Sequence, residues 1–239
     1  MLTHYVRFLL RKQPLFTALN FTGLVIGMTA AMLLFGYVRY EQLYDRQSPH
    51  ASQIWRVFNQ TFDGTSVITK DANTHSAVGP TLKAEVPGVT DYARLYCGNS
   101  PEVVVIANQQ PYEVARCYMT DPGFLRMFPQ EGLQGDLATC LDAPNMAVLS
   151  ETQSKRFFGT ADALGKTFRV TEGMMAGIYT VSAVVNNPPE HTHLKYDILL
   201  SYATRYANGH QDNFDSYWDY NYLQLATGTD PEAVRRKLA

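Results

Sequence analysis

Two hydrophobic regimes divide the chain. From Gln13 to Val38 no charged side chain occurs, and the stretch "NFTGLVIGMTAAMLLFGYV" is apolar with few interruptions. As a helix, Leu19 to Val38 would be about 30 Å long, the thickness of a bilayer core. A membrane-spanning helix over residues 13–38 is therefore predicted. Beyond it the apolar positions recur at short period. "QIWRVFNQTF" alternates as a strand, and "SAVGPTLKAEVPGV" reads as a short helix closed by Pro87 and Gly88. "DYARLY", "EVVVIAN" and "YEVARCYM" follow as strands, with turns at Gly98, Asn99 and Gln109 to Pro111. "PGFLRMF" is a helical turn, and "SETQSKRFFG" a helix with Ser150 as N-cap and Gly159 as its stop. "KTFRV", "IYTVSAVVN" and "YDILLS" are strands again, which makes the fold class α+β. In "TDPEAVRRKLA", Asp230 caps and Pro231 opens a last helix, and the sequence reads as cut off inside that element.

Charge orients the span. Arg7, Arg11 and Lys12, with His4, precede it, and no acidic residue occurs before Glu41. By the positive-inside rule the N-terminus is cytoplasmic and everything after Arg39 is exported. Counted from Arg39 onward, the exported part holds all 22 acidic residues against 17 of the 20 basic ones, a formal charge of about −5. That balance does not invite nucleic acid. A cleaved signal peptide shares the basic start and apolar middle, but here Tyr37, Arg39 and Tyr40 stand where a small-x-small cleavage site would be, which favours an uncleaved anchor. Leu2, Tyr5, Val6, Leu9 and Leu10 share one helical face, so residues 1–12 read as an amphipathic segment along the inner surface; a frayed start to the same helix is the plainer alternative. Gly23 and Gly27 form a G-x-x-x-G pair, a face on which another helix can approach closely.

Of the candidate chemistry, little survives inspection. "GTADALGKT" resembles a phosphate loop, but five residues rather than four separate Gly159 from Gly165-Lys166-Thr167, and a polar helix precedes where a buried strand is needed. His191 and His193 could form half of a zinc site, yet no further ligand is placed by spacing, so ordinary loop histidines are favoured. Cys97, Cys117 and Cys140 lack metal spacing; a Cys97 to Cys117 bridge is conceivable, with free buried thiols the favoured reading. No nucleophile signature is present, and no metal, cofactor or enzymatic activity is expected. Trp218, Tyr220 and Tyr222 alternate, a pattern that suits a core or inter-lobe face better than sugar stacking.

Taken in order and spacing, "NFTGLVIGMTAAMLL", "YEQLYDRQSPHASQIWRV", "YMTDPGFLRMFPQEGLQGD", "VLSETQSKRFFGTADALGKTF" and "YTVSAVVNNPPEHTHLKYDILLS" resemble ABC transporter permeases of the MacB and FtsX type. The resemblance covers the N-terminal membrane helix and the periplasmic core domain. It implies a two-lobed mixed α/β periplasmic domain over residues 39–239, with 53–89 and 222–239 in a membrane-proximal lobe left incomplete and about 90–221 inserted. It further implies a bacterial inner-membrane protein that partners the remaining permease helices and a separate cytoplasmic ATPase, as a homodimer when full length. Membrane lipid surrounds it, and a periplasmic partner protein is conceivable. ATP-driven motion would pass to the periplasmic domain for export, lipoprotein release or signalling. Gly23 and Gly27 would be helix-packing positions, and Glu41, Asp45 and Arg46 the membrane–periplasm junction; an ordinary hydrated helix end is the alternative for those three. A stand-alone, membrane-anchored binding module is the competing reading of the whole chain.

Overall fold

The computed structural model describes residues 14–42, 48–98, 102–190, 192–215 and 217–236. Two compact units emerge, residues 1–47 and 48–239. The expected amphipathic segment over residues 1–12, together with Asp45 and Arg46, lies outside the described residues.

In the first unit a single helix, α1 (Pro14–Gln42), runs for 29 residues, four beyond the predicted end of the span at Val38. It is the one helix among the described residues long and apolar enough to cross a membrane, with a mean hydropathy of 1.9. Its apolar side chains, Leu19, Phe21, Ile26, Leu33 and Phe35 among them, are exposed all round. In water that would be prohibitive; in lipid it is the expected state of a spanning helix. The hydroxyl of Thr29 donates to the Val25 carbonyl one turn back, so this polar side chain is satisfied within the helix.

The second unit is built on one large sheet. Its first elements are β1 (Ile54–Arg56), β2 (Asn59–Asp63), β3 (Ser66–Asp71), β4 (Thr74–His75) and α2 (Val78–Glu85). The middle of the chain supplies β5 (Val89–Tyr96), β6 (Val103–Ala107), β7 (Gln110–Val114), β8 (Cys117–Thr120), α3 (Gly123–Met127) and β9 (Gly132–Gly135). There follow β10 (Met146–Ser150), α4 (Glu151–Phe158), β11 (Thr167–Val170), β12 (Gly177–Val185), β13 (Ile198–Ser201), α5 (Ala203–Ala207), β14 (Tyr217–Leu225) and α6 (Pro231–Arg236). Twelve strands form one sheet in the order β1-β14-β5-β8-β13-β10-β12-β11-β6-β7, with β4 also on β14 and β9 also on β12. Two pairs are parallel, β8 with β13 and β10 with β12. The strands β2 and β3 form a separate hairpin. The limits expected for the inserted lobe, near residues 90 and 221, fall within β5 and β14, which pair with each other from Val89 to Tyr96.

Where the sequence carries strong local signals, the elements stand as expected. The Ser150 hydroxyl accepts from the Gln153 amide at the start of α4, and Gly159 closes that helix at φ 71°, a conformation that favours glycine. The Asp230 carboxylate accepts from the Glu232 amide, with Pro231 first in α6. Two runs are corrected. "QIWRVFNQTF" is not one strand: β1 joins the large sheet and β2 the hairpin, the break falling where the Val57 amide donates to the Asn221 carbonyl. "YEVARCYM" splits into β7 and β8 around Ala115-Arg116, because β7 returns on β6 while β8 enters the sheet between β5 and β13.

Hydrophobic packing covers both sides of the sheet. One core gathers Tyr96, Met119, Leu149, Phe157, Phe168, Tyr179 and Leu200, with α4 supplying Phe157. A second gathers Ala93, Leu95, Phe124, Leu141, Val148, Tyr196, Leu199 and Tyr222, with α3 supplying Phe124. The third, smaller, joins Leu82 of α2 and Val234 of α6 to Leu223 and Leu225.

Asp91 on β5 ties two helices to the sheet, accepting from Lys83 of α2 at 2.8 Å and Arg126 of α3 at 2.9 Å. Burial works to raise its pKa, but the hydrogen bonds from Arg126 and Lys83 outweigh it and hold the carboxyl below its ordinary 3.8. A lowered folded pKa stabilises above the unfolded value and loses that contribution as the pH falls through the folded one. Both cations are largely exposed, so the gain is about 1 kcal/mol. Thermal unfolding of Asp91→Asn beside the parent should therefore show a gap at pH 7 that closes below about pH 4. A gap that persists unchanged at pH 2 would contradict this role.

Candidate functional site

Three places in the chain concentrate unusual chemistry: the bare helix α1, a buried network of charge, and two cavities on the sheet. On α1 the expected packing positions lie open. A Cβ added at Gly23, Gly27 or Gly36 would meet nothing within 4 Å. Glu41 lies exposed in the last turn of the helix, and its expected companions at the junction, Asp45 and Arg46, fall outside the described residues.

The charged network centres on Arg94, which sits on β5 with its side chain wholly buried. Its backbone amide and Nε both donate to Asp121 Oδ2, at 2.9 and 2.8 Å, and Nη2 donates to Asp121 Oδ1 at 2.7 Å. Nη1 reaches Asp212 Oδ1 at 2.7 Å and the Ser76 carbonyl at 2.9 Å, and Nη2 also reaches the Tyr206 hydroxyl at 2.7 Å. All five guanidinium N–H donors are thus used. The guanidinium also lies 3.8 Å from the centre of the Tyr202 ring. Burial disfavours its charge, but the hydrogen bonds and field of Asp121 more than restore it, so Arg94 stays charged.

A second arginine extends the network. Arg205 of α5 donates to Asp219 of β14 at 3.2 Å and to the Tyr202 hydroxyl, and its guanidinium lies over the Tyr96 ring at 4.1 Å. Burial pushes the Tyr202 hydroxyl well above its ordinary pKa, so it remains a protonated phenol. Next to it, Asn221 of β14 donates to Thr74 Oγ1 at 2.8 Å and accepts from the Gly79 amide at 2.9 Å, satisfying one of the open donors at the start of α2. Five segments are locked together by these bonds. Arg94, Arg205, Asp121 and Asp219 are buried at its centre, Arg205 Nε lacking a partner among the described residues, while Tyr206 and Asp212 lie at its more exposed rim; no nucleophile stands beside a base, and the arrangement is a brace.

The motifs singled out in the sequence are placed as follows. In "GTADALGKT" the Gly165 amide donates to the Val181 carbonyl and the Lys166 amide to the Ala163 carbonyl, so both are spent on the turn into β11. The Lys166 ammonium lies 5.2 Å from the Phe158 ring centre. His193 Nε2 stands 2.9 Å from the Tyr222 hydroxyl, while His191 lies outside the described residues. Among the described residues no group of three or more His, Cys, Asp or Glu side chains could hold a metal. All three cysteines are free thiols; burial pushes Cys117 up to about 12 and Cys140 up to about 11.

The aromatic alternation of β14 requires a correction. The face expected to be core or inter-lobe, Trp218, Tyr220 and Tyr222, is buried only at Tyr222, so it is not a core face, and Trp218 is 48% exposed. The fully buried face is the other one, Asp219, Asn221, Leu223 and Leu225, because the two polar residues find partners in the charge network. Trp218, Tyr220 and Tyr222 instead line two cavities of about 270 Å³ each. The first is walled by Tyr118, Tyr220, Tyr222, Arg56, His193 and Lys195, and the second by Trp218, Tyr96, Cys97, Met174, Met175 and Glu172. Sequence reasoning missed both the network and the cavities. A charged residue in the middle of the apolar strand "DYARLY" was the one available signal for Arg94.

Comparison with known proteins fits this architecture. The fold is shared with a domain of a protein assigned as a permease from Porphyromonas gingivalis, at a TM-score of 0.62 and 24% identity, covering 80% of this chain and 83% of that one. It is shared also with the periplasmic region of MacB from Actinobacillus actinomycetemcomitans, at 0.56 and 14% identity over 78% of this chain and 81% of that one. The extracellular domain of the noncanonic ABC-type transporter YknZ from Gram-positive bacteria matches at 0.54 and 12% identity, over 76% of this chain and 88% of that domain. No match was found among curated proteins. The family model of the MacB-like periplasmic core domain matches residues 17–239, from within α1 through the whole sheet. The chain therefore belongs to the MacB-like periplasmic core domain family and carries the periplasmic domain of an ABC-type permease.

Proposed function

We propose that the protein acts as the permease component of a MacB-type ABC transporter, passing motion driven by a separate cytoplasmic ATPase to its periplasmic domain and catalysing no reaction itself. The N-terminus faces the cytoplasm and residues 48–239 the periplasm, and two copies work together. The output is export, lipoprotein release or signalling. The observation that carries this reading is the match of the MacB-like periplasmic core domain over residues 17–239, joined to an apolar helix that carries the Gly23 and Gly27 pair. Lipid alone requires no such glycine face, whereas close approach of further permease helices does. The buried brace around Arg94 supports it, since a domain that relays force must move as a body.

Purification of the tagged protein from its source membrane in mild detergent tests the proposal. An ATP-hydrolysing partner is expected to accompany it, and Gly27→Leu should reduce its recovery several-fold by steric exclusion without changing the unfolding temperature of the periplasmic domain. Absence of any ATPase from the parent preparation would defeat the reading. It would favour a membrane-anchored binding module, for which the two cavities speak.

A further inference from the structure

The cavity between β1, β5, β8, β14, α3 and residues 193–195 is absorbed by neither the brace nor the membrane helix. Its walls combine two properties. Tyr118, Tyr220, Tyr222 and Phe124 give it aromatic surface, continuous with the second core. Arg56 and Lys195 give it positive charge, and no acidic side chain lines it. In a chain of formal charge −2, two cations without an acid are a local excess.

Both cations are placed, and neither makes an ion pair among the described residues, although the field of Asp71 reaches this wall at Tyr220. The Lys195 ammonium is held by the carbonyls of Pro189 and Glu190, each at 2.8 Å, which fix its position. Arg56 faces Tyr222 across the pairing of β1 with β14, so the backbone of the sheet sets where its side chain begins. Its guanidinium lies 4.5 Å from the Phe58 ring centre and makes no ion pair among the described residues, leaving a fork of donors matched to a carboxylate. His193, bonded to Tyr222, also lines the cavity. A concave, largely apolar site with a few fixed polar groups is the usual form of a small-ligand pocket.

We propose that this cavity binds a carboxylate carried on a flat apolar body, with the carboxylate against Arg56 and Lys195 and the apolar part against Tyr118, Tyr220 and Tyr222. The chemistry is shared by a free aromatic acid and by the C-terminal residue of a peptide. The proposal does not depend on whether the domain relays ATP-driven motion.

The test is calorimetric titration of the full chain in lipid nanodiscs, with empty nanodiscs subtracted. The probes are N-acetylphenylalanine, its C-terminal amide, and the peptide Ala-Ala-Ala-Phe with a free or an amidated C-terminus. Both free acids are expected to bind and both amides to bind at least about tenfold more weakly, the worth of one charged hydrogen-bonded contact. Arg56→Gln and Lys195→Gln should each weaken the acids by a similar factor while leaving the thermal unfolding temperature unchanged, since Arg56 is exposed and Lys195 bonds only to a loop. Tighter binding of the peptide acid than of the amino acid identifies a peptide terminus as the ligand; equal binding identifies the free acid. No binding of either acid at millimolar concentration, or binding indifferent to amidation and to both substitutions, overturns the proposal.

Discussion

Replacing Arg94 with alanine is expected to destabilise the periplasmic unit by about 3–5 kcal/mol, the loss typical when one partner of a buried ion pair is removed. Most of that loss comes from what remains. Asp121 and the Ser76 carbonyl lose buried donors, whereas the more exposed Tyr206 and Asp212 keep their bond to each other and can reach water. Urea unfolding followed by near-ultraviolet circular dichroism would measure it. Arg116→Ala is the control, because its pair with Asp197 is exposed and worth less than about 1 kcal/mol. Combining Arg94→Met with Asp121→Asn should recover part of the loss, since the stranded carboxylate is then gone. If Arg94→Ala cost no more than Arg116→Ala, the brace would be an ornament of the fold.

The second large effect is expected at Gly123. A Cβ there would stand 2.0 Å from the backbone oxygen of Tyr92, and that oxygen belongs to β5 in the middle of the sheet. The neighbour cannot swing aside as a side chain could, so Gly123→Ala should cost about 3 kcal/mol, the upper end of overpacking. Gly159→Ala gives the comparison: nothing lies within 4 Å, only the positive φ is strained, and about 1 kcal/mol is expected. Equal midpoints in urea for the two variants would show that α3 can lift from β5 without penalty.

Much of this architecture is written locally. The span, the Ser150 cap, the Gly159 stop and the strands β5, β6, β11, β12 and β13 depend on near neighbours and were readable for that reason. β10 was not, because "MAVLS" lies at the centre of the sheet with parallel and antiparallel partners and shows a short apolar run instead of alternation. The hairpin of β2 and β3 did leave a signal, the Asp63-Gly64 turn with Gly64 at φ 58°, which the apparent continuity of "QIWRVFNQTF" concealed. Of the charge network only Arg94 left a trace, as a charge inside an apolar strand; its partner Asp212 is 118 residues away, and nothing local distinguishes that aspartate from a solvated side chain. The same blindness misassigned β14: polar residues imply an outward face unless a distant arginine awaits them.

The position of β14 also governs when the molecule can become itself. β1 and β4 find no partner in the sheet except β14, and Ile54 pairs with Gln224 about 170 residues later in the chain. As the polypeptide is made, β1 and β4 must therefore remain unmated until residue 217 and beyond has emerged, whereas β2 and β3 can pair with each other at once. Closure at this separation is slow, and unpaired strands invite wrong partners in the interval. The β1 and β4 edge of the sheet is thus the last to set, and the domain's yield in the cell depends on whatever shields those early strands while the chain is still being delivered.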